Sequence, residues 1–106
     1  PPWTEKKIVD LPTYLGGPML ARWGARYVVG GRRNTENGTK TALYWLADEA
    51  LSPIVELPSG GDNSYPGFVE LDDGSGLVSW YSSHEKNSDG ESITAIYLAN
   101  LILEKP

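Results

Sequence analysis

No stretch of this chain sustains a helical spacing of apolar residues. The apolar positions fall in short runs broken by Gly, Pro, Asn and Asp, the pattern of an all-β protein. The clearest unit is Asp62–Glu85, DNSYPGFVELDDGSGLVSWYSSHE. Phe68, Val69 and Leu71 form one strand-like run, and Leu77, Val78, Trp80 and Tyr81 form its return. Between them, Asp72-Asp73-Gly74-Ser75-Gly76 is dense in turn chemistry: aspartates bond nearby backbone and glycines supply positive φ. Two polar clusters flank this hairpin, Asp62-Asn63-Ser64-Tyr65 and Ser82-Ser83-His84-Glu85. A hairpin brings the chain back to its starting end, so both clusters are expected at one end of a sheet, opposite the turn.

The same plan occurs twice. Ile8-Val9-Asp10-Leu11-Pro12 recurs as Ile54-Val55-Glu56-Leu57-Pro58, Pro18 as Pro66, and Thr41-Ala42-Leu43-Tyr44 as Thr94-Ala95-Ile96-Tyr97. The offsets drift from 46 to 48 to 53 residues, because the second copy has longer connections. The first copy gives runs at Lys6–Leu11, Pro18–Arg22, Ala25–Gly31 and Thr39–Ala47; the second gives Ile54–Leu57, Tyr65–Leu71, Gly76–Ser82 and Ser92–Leu103. Asp48–Ser52 has the composition for one helical turn, stopped by Pro53. A repeat of this length with four strands is the mark of a β-propeller blade; a small β-sandwich is the alternative, and the duplication weighs against it. The expectation is two four-stranded antiparallel blades, repeat one over 8–47 and repeat two over 54–103, together part of a six-bladed propeller. If Pro18–Arg22 and Tyr65–Leu71 are innermost, the strands read one, then four, then three. Lys6–Leu11 is then an outer strand without its own blade, and the second blade lacks its outer strand.

Composition narrows the function classes. The chain has 106 residues and no cysteine, which excludes disulfides, thiolate metal sites and cysteine nucleophiles. A lone histidine argues against a histidine-rich metal centre, and no cofactor is implied. The formal net charge of −5 disfavours nucleic acid and anionic membrane as partners. No apolar run reaches the roughly 20 residues of a membrane-spanning helix, and residues 1–20 lack the apolar core of a signal peptide. The absence of an initiator methionine points to a chain processed or excised from a longer one. Four tryptophans and six tyrosines supply aromatic faces for stacking.

SYPGFVELDDGSGLVSWYSSHE followed by SITAIYLANLIL resembles the last blade of bacterial sialidase-like (BNR-type) propeller proteins, and Gly16–Arg33, GGPMLARWGARYVVGGRR, resembles the blade before it. The likeness spans about two of that family's six blades. The Ser-x-Asp-x-Gly-x-x-Trp turn of many sialidases is missing, with Ser88-Asp89-Gly90 at best a remnant. The resemblance implies a propeller that binds or cleaves acidic sugars at its axis. In that family a tyrosine is the nucleophile, because the substrate's own carboxylate repels a carboxylate nucleophile, and arginines grip that carboxylate. Tyr65 sits where the nucleophile is expected, although Tyr65-Pro66-Gly67 replaces the family's tyrosine-serine.

Each candidate has a plainer reading. Tyr65 is a nucleophile, a sugar-stacking ring or a packing residue. Asp62 and Asn63 bind sugar hydroxyls or make an Asx turn. Arg32 and Arg33 clamp a carboxylate or form a solvated basic loop. His84 and Glu85 are an acid/base pair at a pocket rim or solvated loop residues. Three functions compete: one wall of a sialidase-like glycoside hydrolase pocket, a non-catalytic lectin-like propeller assembled from identical chains, and a protein-interaction scaffold. Carbohydrate handling is favoured because the resemblance and the converging polar loops agree. The expected partners are a glycan and further blades, supplied by identical chains, three of them closing a ring, or by the rest of a parent chain. The compartment leans to secreted or periplasmic.

Overall fold

The computed structural model describes residues 14–104. They form seven strands: β1 (Gly16–Trp23), β2 (Arg26–Thr35), β3 (Gly38–Ala47), β4 (Ala50–Glu56), β5 (Ser64–Glu70), β6 (Gly76–Lys86) and β7 (Ser92–Leu101). Each pairs antiparallel with its neighbour in sequence, giving a four-stranded sheet β1-β2-β3-β4 and a three-stranded sheet β5-β6-β7. No helix occurs among the described residues. The all-β expectation therefore holds. The two Thr-Ala-(Leu/Ile)-Tyr segments lie in different sheets, in β3 and β7. Ile54–Glu56 closes the first sheet as part of β4, as the one-four-three strand order expects, although the repeat boundary at 54 assigns it to the second copy. Where two four-stranded sheets were expected, the second has three strands among the described residues. Lys6–Leu11, the remaining predicted strand, lies outside them.

Turn chemistry sets the hairpins. At Leu71–Ser75 the backbone closes through Gly74 N to Leu71 O at 2.9 Å and Leu71 N to Ser75 O at 2.8 Å. Asp73 Oδ1 accepts from both the amide and the hydroxyl of Ser75, at 2.9 and 2.6 Å. These two bonds hold the Asp73 carboxyl below its usual pKa. The helical turn expected at Asp48–Ser52 is instead a two-residue hairpin turn. Ala47 pairs with Ala50, and Asp48 and Glu49 adopt φ of 50° and 67°. Left-handed turn residues match the twist of the flanking strands. A helical turn would leave Leu46 and Leu51 without the partners they have in each other. Pro53 is tolerated because it falls in an edge strand, beside a register irregularity opposite Leu43 and Tyr44.

The sheets pack face to face around Trp23, Val28, Leu43, Leu57, Val78 and Trp80. The Trp23 ring lies 5.0 Å from Phe68 and 5.5 Å from Trp45, centroid to centroid. Its indole N–H donates to Gly74 O at 2.8 Å, and the amide of Gly24 donates to Glu70 Oε1 at 2.6 Å. Pro66 of β5 sits over Gly30 of β2: a Cβ built on Gly30 would lie 3.0 Å from the Pro66 ring, between the side chains of Met19 and Leu43. Truncating either buried tryptophan to alanine would cost about 3–5 kcal/mol.

Candidate functional site

The connection Leu57–Asn63 carries the chain from the first sheet to the second, and it is pinned from both sides. From β3, Thr41 O accepts the Leu57 amide at 2.8 Å. The Thr41 amide donates to Ser59 Oγ at 2.9 Å, and Lys40 Nζ donates to Ser59 O at 2.7 Å. From β6, Trp80 Nε1 donates to Pro58 O at 2.9 Å, Ser82 Oγ accepts the Gly60 amide at 3.0 Å, and the Ser83 amide donates to Gly60 O at 3.1 Å. Asn63 finishes the brace. Its side chain is fully buried; Oδ1 accepts from Thr41 Oγ1 at 2.6 Å, while Nδ2 donates to Thr39 O at 3.0 Å and Gly61 O at 2.9 Å. The Asn63 amide is thus occupied within the protein and fixes the loop rather than facing a ligand. The Ser64 hydroxyl continues the seam by donating to Gly16 O at 2.9 Å.

On this platform stands a polar and aromatic corner. Tyr81 Oη donates to Asp62 Oδ1 at 2.6 Å, which raises the Tyr81 pKa above the usual phenol value because the carboxylate stabilises the protonated hydroxyl. Arg32 approaches from the first sheet. Its Nη1 donates to Asn63 O at 3.3 Å and lies 4.0 Å from Asp62 Oδ1. Tyr65 stacks on Tyr81 with ring centroids 5.8 Å apart and planes 23° from parallel, and it is 70% exposed. Its backbone holds φ of 49°, in a bulge where the β5–β6 register shifts between Ser64 and Gly67. A left-handed conformation costs a non-glycine residue roughly 1–2 kcal/mol.

Arg33 does not join this corner. Adjacent strand residues face opposite sides, and Arg33 turns to Tyr44, donating to its hydroxyl at 3.1 Å. That bond raises the Arg33 pKa further. Arg32 and Arg33 therefore do not form one clamp. His84 and Glu85 lie at the expected end of the sheet, three and four residues beyond Tyr81 on β6, but they gather around Tyr97. The His84 ring centroid is 4.8 Å from that of Tyr97, His84 Nδ1 is 2.7 Å from Ser82 Oγ, and Tyr97 Oη donates to Glu85 Oε1 at 2.5 Å. This last bond raises the Tyr97 pKa. Among the described residues no hydrogen bond, ion pair or ring contact joins this group to Tyr65. Of the predicted set, Arg32, Asp62 and Tyr65 come together; Asn63 braces them from below, His84 and Glu85 form a second cluster, and Arg33 faces elsewhere.

Sequence reasoning placed Tyr81 on a strand without assigning it to the site. The signal that finds it is the period-two alternation of β6, which puts Tyr81 and Ser83 on the face opposite Trp80, together with the hairpin pairing of Tyr81 with Ser64. Among the described residues no group of three acidic or histidine side chains is arranged to hold a metal ion. No family model matches the chain, and neither a curated protein nor a solved structure matches it.

Proposed function

We propose that the corner formed by Tyr65, Tyr81, Asp62 and Arg32 is a carbohydrate-binding site on a sialidase-like propeller segment. One observation carries this reading: an exposed tyrosine is held in a strained backbone conformation, stacked on a second tyrosine, with a carboxylate and a guanidinium within reach. Strain of this kind persists where the surroundings enforce it and is concentrated at ligand sites. A pair of tyrosine rings offers the flat amphipathic surface on which the C–H face of a pyranose stacks. Asp62 accepts from, and Arg32 donates to, the ring hydroxyls or an acidic substituent. The resemblance of Ser64–Glu85 to a sialidase-like blade supports the same substrate class.

The arrangement favours a stacking role for Tyr65 over a nucleophilic one, because the phenol bonded to a carboxylate is that of Tyr81. The second reading, one wall of a glycoside hydrolase pocket with Tyr65 as nucleophile, rests on the position of Tyr65 ahead of an inner strand. Titration of the 15N-labelled protein with a panel of neutral and acidic monosaccharides separates the two. Shifts centred on Tyr65 and Tyr81, retained in Tyr65→Phe and lost in Tyr65→Ala, support stacking. Hydrolysis of an aryl sialoside by the wild type that vanishes in Tyr65→Phe supports the nucleophile. No sugar-dependent shift at this corner, with no turnover, removes both.

A further inference from the structure

We infer that the outer face of the second sheet is a docking surface for the outer face of the first sheet of another copy of this chain, joined head to tail. The template lies within the molecule. On the inner face of the first sheet, Met19, Gly30 and Leu43 form one cross-strand row, and Gly30 leaves a gap that Pro66 fills. On the outer face of the second sheet, Gly67, Ser79 and Leu98 form the corresponding row. Here too the middle is small: a Cβ built on Gly67 would meet only Ser79 Oγ, at 3.0 Å. Val69, Leu77 and Leu98 complete the walls of a hollow of roughly 230 Å³.

The matching knob is on the other free face. Pro18 stands in β1 where Pro66 stands in β5, each following a residue with positive φ, Gly17 at 54° and Tyr65 at 49°. Pro66 faces the inner gap; Pro18 and Leu20 are exposed on the outer side, Leu20 by 64%. Applying the internal packing once more seats Pro18 of one copy over Gly67 and Ser79 of the next. The charges agree. Glu70 caps the Gly24 turn of the first sheet. Arg22 holds the equivalent place in β1, and the turn it would meet contains Asp72 and Asp73. The docking surface also covers Ile96 and Leu98, which are 72% and 67% exposed, an apolar area of the kind that marks an interaction surface. The contact uses different patches on the two partners, so it is heterologous, and its repetition gives a ring or a filament. Ile96 is the cross-strand partner of Tyr81, so docking borders the sugar-binding corner, and the association test needs no sugar.

Sedimentation equilibrium of the purified 106-residue chain tests this. The wild type is expected to associate with rising concentration. Ser79→Leu, which fills the hollow, is expected to leave a folded monomer by circular dichroism. Arg22→Glu is expected to weaken association roughly tenfold, and an added Asp72→Arg to restore it, since like-charge juxtaposition is removed. A wild type that stays monomeric at high micromolar concentration overturns the proposal. So does association that survives both Ser79→Leu and Arg22→Glu unchanged.

Discussion

Strands β1 and β5 enter their sheets by the same backbone path with different residues. At β1 the chain runs Leu15-Gly16-Gly17-Pro18; at β5 it runs Asn63-Ser64-Tyr65-Pro66. Both strands carry a register shift at this point, and both place a left-handed residue immediately before proline. In the first sheet that residue is glycine, the type that adopts positive φ without steric penalty. In the second it is a tyrosine. The first entry shows the bulge to be a property of the repeat, satisfied at low cost. The second shows the same bulge used to present an aromatic ring, at the expense of strain. Polar bracing differs in parallel: Asn63 is buried with three short hydrogen bonds, where its counterpart Leu15 has an apolar side chain.

The largest test of this comparison removes the brace. Asn63→Leu makes the second entry resemble the first and leaves Thr41 Oγ1, Thr39 O and Gly61 O without the partners Asn63 gave them. Of the three only Thr41 is fully buried; an unpaired buried polar group costs about 1–3 kcal/mol, so with the lost loop brace a loss of about 3 kcal/mol in urea unfolding is expected. A loss below 1 kcal/mol would mean that the loop is held by its other bonds. Next in size is Gly17→Ala. Its φ of 54° and the Ser64 Oγ only 2.6 Å from the new Cβ make both backbone and packing unfavourable. A destabilisation of about 2 kcal/mol is expected.

Tyr65→Gly should change stability by less than about 1 kcal/mol, because relief of the left-handed strain offsets the lost ring contact. Sugar-dependent shifts should nonetheless disappear. A large loss of stability would make Tyr65 a packing residue. The smallest effect is alkaline. The Tyr81 pKa is raised in the folded state, so the Tyr81–Asp62 bond contributes stability that is fully present below the ordinary phenol pKa. That contribution is lost as pH rises through the raised value. Tyrosine absorbance titration should show two late-titrating phenols, Tyr81 and Tyr97, of which only Tyr81 returns towards its ordinary value in Asp62→Asn. Unchanged titration in that variant would separate the shift from Asp62.

Much of the architecture was legible. The recurrence of Ile-Val-(Asp/Glu)-Leu-Pro and Thr-Ala-(Leu/Ile)-Tyr announced two sheets, and the Asp72–Gly76 turn announced a hairpin with both polar clusters at its open end. The parting of Arg32 from Arg33 also follows from strand alternation. What escaped lies at the bulges. A register shift re-aims every side chain beyond it, so the face shown by Tyr65 and the burial of Asn63 depend on pairings that no local pattern encodes. The Asp48-Glu49 turn escaped for a related reason. Its residue types also suit the end of a helix, and the continued pairing of β3 with β4 decides between the two.

The connectivity also sets an order of events in folding. Among the described residues every ladder joins strands adjacent in sequence, so each sheet closes through short loops of low entropic cost. The long-range bonds that join the sheets, Trp23 to Gly74 across 51 residues and Gly24 to Glu70 across 46, require both hairpins to exist first. The rate-limiting barrier should therefore be the docking of two preformed meanders. Substitutions at Trp23 would then chiefly speed unfolding if the seam forms after the barrier, and slow folding if it forms within it.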